Sequence, residues 1–304
     1  MTCCFSSSSP INLNTLHFHD EFDNLNFYNP VNNPNGVWRF NDFWQDPQQA
    51  GYIDFAGNRT FMVNQMTTGG GTTSYSNANA YDTIRPYFPA SQPEPSMIRL
   101  LCQRAHLDTR PSLRGLVNDV AVNNQGIQPD QVTWLGAFMT TDKIHPFPSC
   151  NISRPAYIEA RIRFNPVNTT GIFSAFWLYK TSEDTKNLEV DIFETNDLNP
   201  SFWKTNFQDA GGGFFSIAHN NAWCDNLFHT YGLLWQQSSF KTYKDGQLDG
   251  SWEDAPGPGF FDQPMRLMIT HTCDPYWSTV NTSVQSNIEN VYMDIDFIRV
   301  WTES

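Results

Sequence analysis

Three carboxylates stand within six residues of one another, at Glu189, Asp191 and Glu194. The apolar residues between them are Val, Ile and Phe, which favour a β-strand. Because successive side chains of a strand point to opposite faces, Glu189 and Asp191 share a face, and strict alternation turns Glu194 to the other. One extra residue, a β-bulge near Ile192 and Phe193, brings Glu194 back beside the other acids. Neighbouring carboxylates can divide the roles of proton donor and anion between them.

The same stretch also fits a simpler interpretation, an acidic face turned to solvent or an edge that binds calcium. A motif this short does not separate these interpretations by itself. The strands that would position the acids therefore have to be considered.

Alternation of apolar and polar residues becomes regular from residue 156 onward and predicts short strands joined by turns. This rhythm, with aromatics at 15% of the chain and Gly and Pro spread along it, predicts an all-β sandwich or jelly roll. We predict a single domain over 16–304, after a flexible lead-in at 1–15, because no repeat or linker divides the chain. Two stretches, at about 66–95 and 106–130, are predicted to be loop insertions.

The formal net charge of −13 disfavours a nucleic acid partner, which would need a basic surface. No run of apolar residues reaches transmembrane length, so we expect no membrane insertion. No secretory signal is visible at the N-terminus. The six cysteines lack the spacing of a zinc site, and buried free thiols are at least as expected as one or two disulfides.

The segment Glu189–Glu194 resembles the ExDxxE signature of the family 16 glycoside hydrolases, which are endo-acting β-glucanases and β-galactanases with a β-jelly-roll fold. Segments that resemble the family's other strands follow in the family's order, at 157–163, 173–178, 228–235, 243–246 and 293–301. Together they span about half of the chain, and they make the resemblance far more specific than the motif alone. The N-terminal third matches only loosely, at Asp20–Asp23.

The resemblance implies a jelly-roll sandwich of two antiparallel sheets with a concave substrate cleft, and a retaining endo-β-glycanase that needs no cofactor for catalysis. Such an enzyme uses two carboxyl groups about 5–5.5 Å apart. By family position, Glu189 is the nucleophile, Glu194 the general acid/base and Asp191 an electrostatic helper. We expect Asp191 to share a hydrogen bond with Glu189 and so to orient the nucleophile.

A sugar polymer needs a groove with aromatic platforms, because pyranose rings present apolar C–H faces to a π-surface. Trp177 is the best platform candidate, because it lies on the strand predicted to face the acids. The other substrate-binding candidates are Trp203, Asn206, His219 and Trp223. Asn206 resembles the family's polar ligand near the cleaved sugar. For each aromatic residue, packing in the core is the alternative.

Many members of the family carry a structural calcium ion on the convex face. Glu21 and Asp296 occupy comparable places here, and the carbonyl oxygen of Gly51 is a candidate third ligand. The alternative is a solvated Glu21 and a hydrogen-bonded Asp296. Such a Ca²⁺ would stabilise the fold and take no part in catalysis.

The expected partner is a polysaccharide, most simply a neutral β-1,3- or β-1,3-1,4-glucan or a bacterial exopolysaccharide. An agarase- or carrageenase-type galactanase and a transglycosylase are alternatives that use the same acids. A non-catalytic carbohydrate-binding jelly roll and a calcium-dependent adhesion protein are alternatives of another class. We expect an extracellular or secreted monomer.

Overall fold

The computed structural model describes residues 13, 15–23, 36–39, 51–53, 60–63, 84–87, 96–106, 134–141, 156–164, 170–180, 188–197, 202–208, 214–221, 223–236, 239–253, 265–273 and 290–303. The described part is all-β, as predicted. Its strands are β1 (Thr15–Asp20), β2 (Trp38–Arg39), β3 (Gly51–Ile53), β4 (Thr60–Val63), β5 (Ile84–Tyr87), β6 (Met97–Arg104), β7 (Trp134–Thr141), β8 (Ala156–Phe164), β9 (Thr170–Lys180), β10 (Glu189–Asp197), β11 (Trp203–Gln208), β12 (Phe214–His219), β13 (His229–Trp235), β14 (Ser239–Lys244), β15 (Gln247–Glu253), β16 (Met265–Cys273) and β17 (Asn290–Thr302).

One antiparallel sheet contains the strand with the three carboxylates, and we call it the acid-bearing sheet. Its strand order is β12-β11-β10-β9-β16-β7-β2. The strand β10 lies near its middle, between β9 and β11. Both neighbours therefore contribute side chains to the face on which the acids lie.

The second sheet, which we call the facing sheet, has the order β15-β14-β13-β8-β17. The long strand β17 pairs along its other edge with β1 and β6. The strand β5 extends the sheet beside β6, and β7 also pairs with β6. Because β7 pairs with β16 as well, it connects the two sheets. The remaining pairs are β3 with β4, and β4 with β7 in parallel.

The core lies between the sheets and is lined by alternate residues of each strand. On β8 the inward residues are Ile158, Ala160, Ile162 and Phe164, all of them buried in the main apolar cluster. This is the alternation that the sequence predicts for this strand. Three residues of β10, Val190, Ile192 and Phe193, belong to the same cluster. Ile192 and Phe193 are adjacent and both point into the core, so the alternation of inward and outward side chains fails between them.

The strands β4, β5 and β15 are not predicted from the sequence. Of these, β5 falls inside the stretch predicted as the 66–95 insertion, and the rest of that insertion lies outside the described residues. Almost all of the 106–130 insertion and of the lead-in at 1–15 also lies outside the described residues. Cys102 and Cys224 are buried and are not joined in a disulfide. In the described part of the chain, no helix is long and apolar enough to cross a membrane.

Candidate active site

The bulge predicted from the sequence is present in β10. Asp191 lies opposite Asn206 of β11, and Glu194 lies opposite Lys204, so the register shifts between these two pairs. Three steps along β10 thus match two steps along β11. The extra residue is the defining feature of a β-bulge.

The bulge sends Phe193 and Glu194 to opposite sides of the sheet. The Phe193 side chain is buried and lies between the rings of Phe164 and Trp203, with centroid distances of 5.4 Å to each. Glu194 lies on the other face, where the Asn206 amide Nδ2 donates a hydrogen bond to its Oε2. All three carboxylates therefore share one face of the acid-bearing sheet, as the bulge interpretation requires.

Asp191 forms hydrogen bonds with Glu194 and Asn206, and not with Glu189. The protonated carboxyl of Asp191 donates, which raises its own pKa and lowers that of Glu194. The expectation that Asp191 orients Glu189 through a hydrogen bond is therefore wrong for this structure. Two residues of rise separate Glu189 and Asp191 along an extended strand, about 6.6 Å, whereas the bulge gathers Asp191 and Glu194 together.

Burial is the main cause that raises the pKa of each of the three acids. It raises the pKa of Glu189 to about 7, with the negative charge of Glu194 as the second cause. It also raises the pKa of Asp191 well above its usual range. For Glu194 the rise in pKa is opposed by hydrogen bonds from Asp191 and Asn206 and by the charge of Lys204. Burial and the repulsion between the charges therefore favour a partly protonated cluster over a fully ionised one.

On one side of the acids, the strands β9, β16 and β7 present an apolar floor. Trp177 lies opposite Asp191, and Tyr179 lies opposite Glu189. Both are partly exposed and pack against the buried side chains of Phe138 and Met268. The indole Nε1 of Trp177 donates to Thr270 Oγ1 at 3.1 Å, which fixes the ring in place. Trp177 thus lies on the same face as the acids, on the strand beside theirs and not on a strand that faces them.

On the other side of the acids, β12 places an exposed aromatic ring on the same face. Gln208 of β11 lies opposite Glu189, and Phe214 of β12 lies opposite Gln208. The Phe214 side chain is 64% exposed, whereas its neighbour Phe215 packs inward on Trp252 with ring centroids 4.5 Å apart. The sequence analysis missed Phe214. A pair of adjacent Phe residues on one strand was the signal, because one of the two must face outward.

Three of the predicted substrate-binding residues are core side chains instead. Trp203, His219 and Trp223 have exposed fractions of 1%, 2% and 0%. Trp203 stacks on the His219 ring at 3.7 Å, and Trp223 packs edge-on against Phe164 at 4.9 Å. On β11, Asn206 and Lys204 face the acids, so Trp203 faces the interior. The alternative of core packing therefore describes these three residues.

Two of the predicted calcium ligands, Glu21 and Asp296, each form an ion pair with an arginine, and the third, Gly51, lies in a separate pair of strands. Both carboxylate oxygens of Glu21 accept from Arg299, at 2.8 and 2.7 Å, and Asp296 pairs with Arg161. Gly51 begins β3 and is paired with β4. A calcium ion needs several oxygens that no cation already neutralises. This donor set does not fit a calcium ion, and the described residues contain no group of three or more His, Cys, Asp or Glu that could hold a metal.

Known proteins resemble part of this chain in sequence. The profile described as Glycosyl hydrolases family 16 matches residues 147–291. A β-glucanase of Bacillus amyloliquefaciens is 35% identical over 92 residues, which are 29% of this chain and 37% of that protein. A β-glucanase of Bacillus subtilis is 32% identical over 88 residues, 29% of this chain and 36% of the other. The aligned region thus spans little more than a third of the length of these curated relatives.

Solved structures resemble nearly the whole chain. The catalytic domain of an endo-1,3-β-glucanase (laminarinase) from Thermotoga petrophila superposes with a TM-score of 0.58 at 16% identity, over 94% of this chain and 97% of that one. The Bacillus licheniformis β-glucanase does so with a TM-score of 0.55 at 16% identity, over 93% and 97%. At such low identity, these likenesses show a shared fold. They confirm the predicted jelly-roll sandwich.

Proposed function

We propose that this chain is a retaining endo-β-glycanase of glycosyl hydrolase family 16, the family whose profile matches residues 147–291, and that it hydrolyses internal β-linkages of a neutral polysaccharide. The observation that carries this proposal is the bulge, which gathers Glu189, Asp191 and Glu194 on one face of the acid-bearing sheet. A solvated acidic face would not bury three carboxylates together, because burial raises the pKa of each.

Retention of configuration needs an ionised carboxylate that attacks the anomeric carbon and an acid that protonates the leaving oxygen. By family position these are Glu189 and Glu194. The proton that Asp191 shares with Glu194 supports the second role, because it keeps a proton beside the acid/base in the substrate-free enzyme. In the second step Glu194 takes a proton from water, and that water breaks the glycosyl–Glu189 bond.

Asn206 is positioned to bind the sugar at the cleavage point. Its Nδ2 donates to Glu194, and its buried Oδ1 has no hydrogen-bond partner in the part of the chain that the structure describes. Leaving a buried acceptor unpaired costs about 1–3 kcal/mol. A sugar hydroxyl that donates to this oxygen would remove that cost and hold the ring beside the acids.

The charge and the aromatic surface around the acids favour a neutral glucan as the substrate. Trp177 and Tyr179 offer ring faces on one side of the acids, and Phe214 offers one on the other. The site contains three acids, and the positive charge beside them is that of Lys204. The site is therefore acidic, which disfavours a sulfated galactan because its sulfate groups carry negative charge. We therefore propose β-1,3- or β-1,3-1,4-glucans, or a neutral bacterial exopolysaccharide, and an extracellular monomer that meets such polymers outside the cell.

Release of reducing ends tests the proposal on laminarin, lichenan, agarose, carrageenan and a bacterial exopolysaccharide. We expect the wild type to shorten a neutral glucan rapidly, as an endo-acting enzyme does, and the first product to keep the β-configuration in proton NMR. Binding without release from any polymer would instead favour a non-catalytic lectin. Longer products in the presence of an added oligosaccharide acceptor would favour a transglycosylase.

A further inference from the structure

The bulge in β10 has a single residue of β11 opposite it. Asp191 faces Asn206 and Glu194 faces Lys204, so Thr205 lies opposite the two bulged residues. A bulge interrupts the ladder of backbone hydrogen bonds at this point. Thr205 Oγ1 donates to the carbonyl oxygen of Ile192 at 3.1 Å. The threonine hydroxyl thus satisfies a carbonyl inside the bulge, two residues before Glu194.

The buried side chain of His219 contacts the Thr205 hydroxyl. Thr205 is fully buried, and its Oγ1 lies 3.1 Å from Nε2 of His219. The hydroxyl has one hydrogen, and the carbonyl of Ile192 receives it. With that hydrogen committed to the carbonyl, the Nε2 contact is a hydrogen bond when Nε2 carries a proton and donates it to Thr205 Oγ1.

The His219 ring has two further neighbours, Trp203 and Asp249, and Asn221 joins them to each other. Trp203 stacks on it at 3.7 Å, and its Nδ1 lies 2.9 Å from Asp249 Oδ2, a close polar contact without the alignment of a hydrogen bond. Asn221 Nδ2 donates to both oxygens of Asp249, at 2.9 and 2.8 Å, and Asn221 Oδ1 accepts from Trp203 Nε1 at 2.9 Å. The histidine thus belongs to a closed ring of four side chains, with Trp203, Asn221 and Asp249 as the other three.

Asp249 enters this ring from the facing sheet. It is the extra residue of a second register shift, because Thr242 of β14 pairs with Gly250 while Tyr243 pairs with Leu248. The ring therefore connects a bulge of the facing sheet with the bulge that contains the acids. The two buried members of the ring, Trp203 and His219, have few rotamers open to them.

We propose that Thr205 is a positioning residue, whose hydroxyl, supported by His219, fixes the carbonyl of Ile192 and thereby the direction in which the bulge presents Glu194. The inference rests on the proposed function, in which Glu194 is the general acid/base. Loss of this hydrogen bond should let the bulge relax, so that Glu194 no longer lies in line with the leaving oxygen.

The test compares two oligoglucosides, one with a poor phenolic leaving group and one with dinitrophenolate, which leaves without a proton. We expect Thr205→Val to lower kcat on the polymer and on the poor leaving group about tenfold, with KM unchanged. On the dinitrophenyl substrate kcat/KM, which reports the first step alone, should be retained, and Thr205→Ser should restore the losses on the polymer and on the poor leaving group. Equal losses on both substrates would overturn the proposal, because a general structural defect does not distinguish leaving groups.

Thr242→Val is the matched control, because Thr242 is equally buried and its hydroxyl has no hydrogen-bond partner among the described residues. We expect it to leave both rates unchanged. If Thr205→Val does not fold, His219→Gln and His219→Leu replace it. The Gln side chain keeps an N–H near the position of Nε2, so His219→Gln should retain the rate on the polymer, whereas His219→Leu should lose it. Equal rates in the two variants would overturn the proposal.

A crystal structure of Thr205→Val separates this inference from the proposed function. We expect the Ile192 carbonyl and the Glu194 carboxylate to move relative to Glu189. An unmoved Glu194 overturns the positioning role, whatever the activity. If the wild type cleaves none of the polymers while Glu194 moves in the variant, the proposed function fails and the positioning of Glu194 by Thr205 stands.

Discussion

Asp191 donates a hydrogen bond to Glu194 across the bulge, whereas Glu189 receives no hydrogen bond from Asp191. Asp191, the acid nearest to Glu189 in sequence, thus forms its hydrogen bond across the bulge with Glu194 in the substrate-free protein. This pairing keeps a proton beside Glu194 and leaves Glu189 exposed to the charge of Glu194, which helps to raise its pKa to about 7.

We expect Glu189→Gln and Glu194→Ala to differ in a way that identifies their roles. Glu189→Gln removes the nucleophile and should lower kcat at least 1,000-fold, while oligosaccharide binding in calorimetry survives. Glu194→Ala should be rescued by azide on a dinitrophenyl glycoside, with formation of a β-glycosyl azide. A β-azide from a Glu189 variant instead would reverse the assignment.

The raised pKa of Glu189 predicts that this residue costs stability at alkaline pH. Its pKa is about 7 in the folded protein against 4.5 when unfolded, so folding favours the protonated form. The stability from this difference is present below pH 4.5 and is lost as the pH rises through 7. Glu189→Gln should therefore raise the free energy of unfolding by about 2 kcal/mol at pH 8 and change it little at pH 4, as measured with urea. Glu253→Gln, on an exposed side chain of β15, is the control for the loss of one carboxylate.

The bulge was predictable because Phe193 interrupts the alternation of acids and apolar residues, and a large ring between two carboxylates has to be buried. The burial of Trp203 was also predictable: three positions separate it from Asn206, so a regular strand turns the two side chains to opposite faces. The partner of Asp191 was not predictable, because it depends on how the bulge folds. The role of Thr205 needed the register of β11 against β10, which no local pattern contains.

Phe214 is predicted to bind a sugar ring by stacking. It is 64% exposed on the face that carries the acids. Phe214→Ala should raise KM for a long glucan about fivefold with little change in kcat, because the ring contributes binding alone. Leu248→Ala, at a side chain that is 59% exposed on β15 of the facing sheet, is the matched control and should change neither constant. An unchanged KM in Phe214→Ala would exclude the ring from the substrate path.

His229 is predicted to stabilise the fold more at acidic than at alkaline pH. Its Nδ1 lies 2.7 Å from Asp245 Oδ2, and its Nε2 lies 3.1 Å from Asp225 Oδ1. The hydrogen bond with Asp245 is the main cause that raises the pKa of His229. The stabilisation is complete below pH 6.5, the unfolded value, and is lost as the pH rises through the folded pKa.

His229→Gln should therefore cost about 1 kcal/mol at pH 5.5 in low salt and much less at pH 8.5, measured by urea denaturation. Added salt should reduce the difference, because the three groups are partly exposed. An equal cost at both pH values would mean that the ring contributes packing and not charge.

Removal of divalent cations is predicted to leave the stability of this protein unchanged, because arginines neutralise the carboxylates at the expected calcium position. Arg299 forms two hydrogen bonds with Glu21 and lies 3.8 Å above the ring of Phe297. We expect Tm to be the same in EDTA and in excess calcium, whereas Arg299→Met lowers the free energy of unfolding by about 1 kcal/mol. A rise in Tm with calcium in the wild type would contradict the prediction. A rise only in Arg299→Met would support it, because the freed carboxylate of Glu21 could then bind the cation in place of the guanidinium.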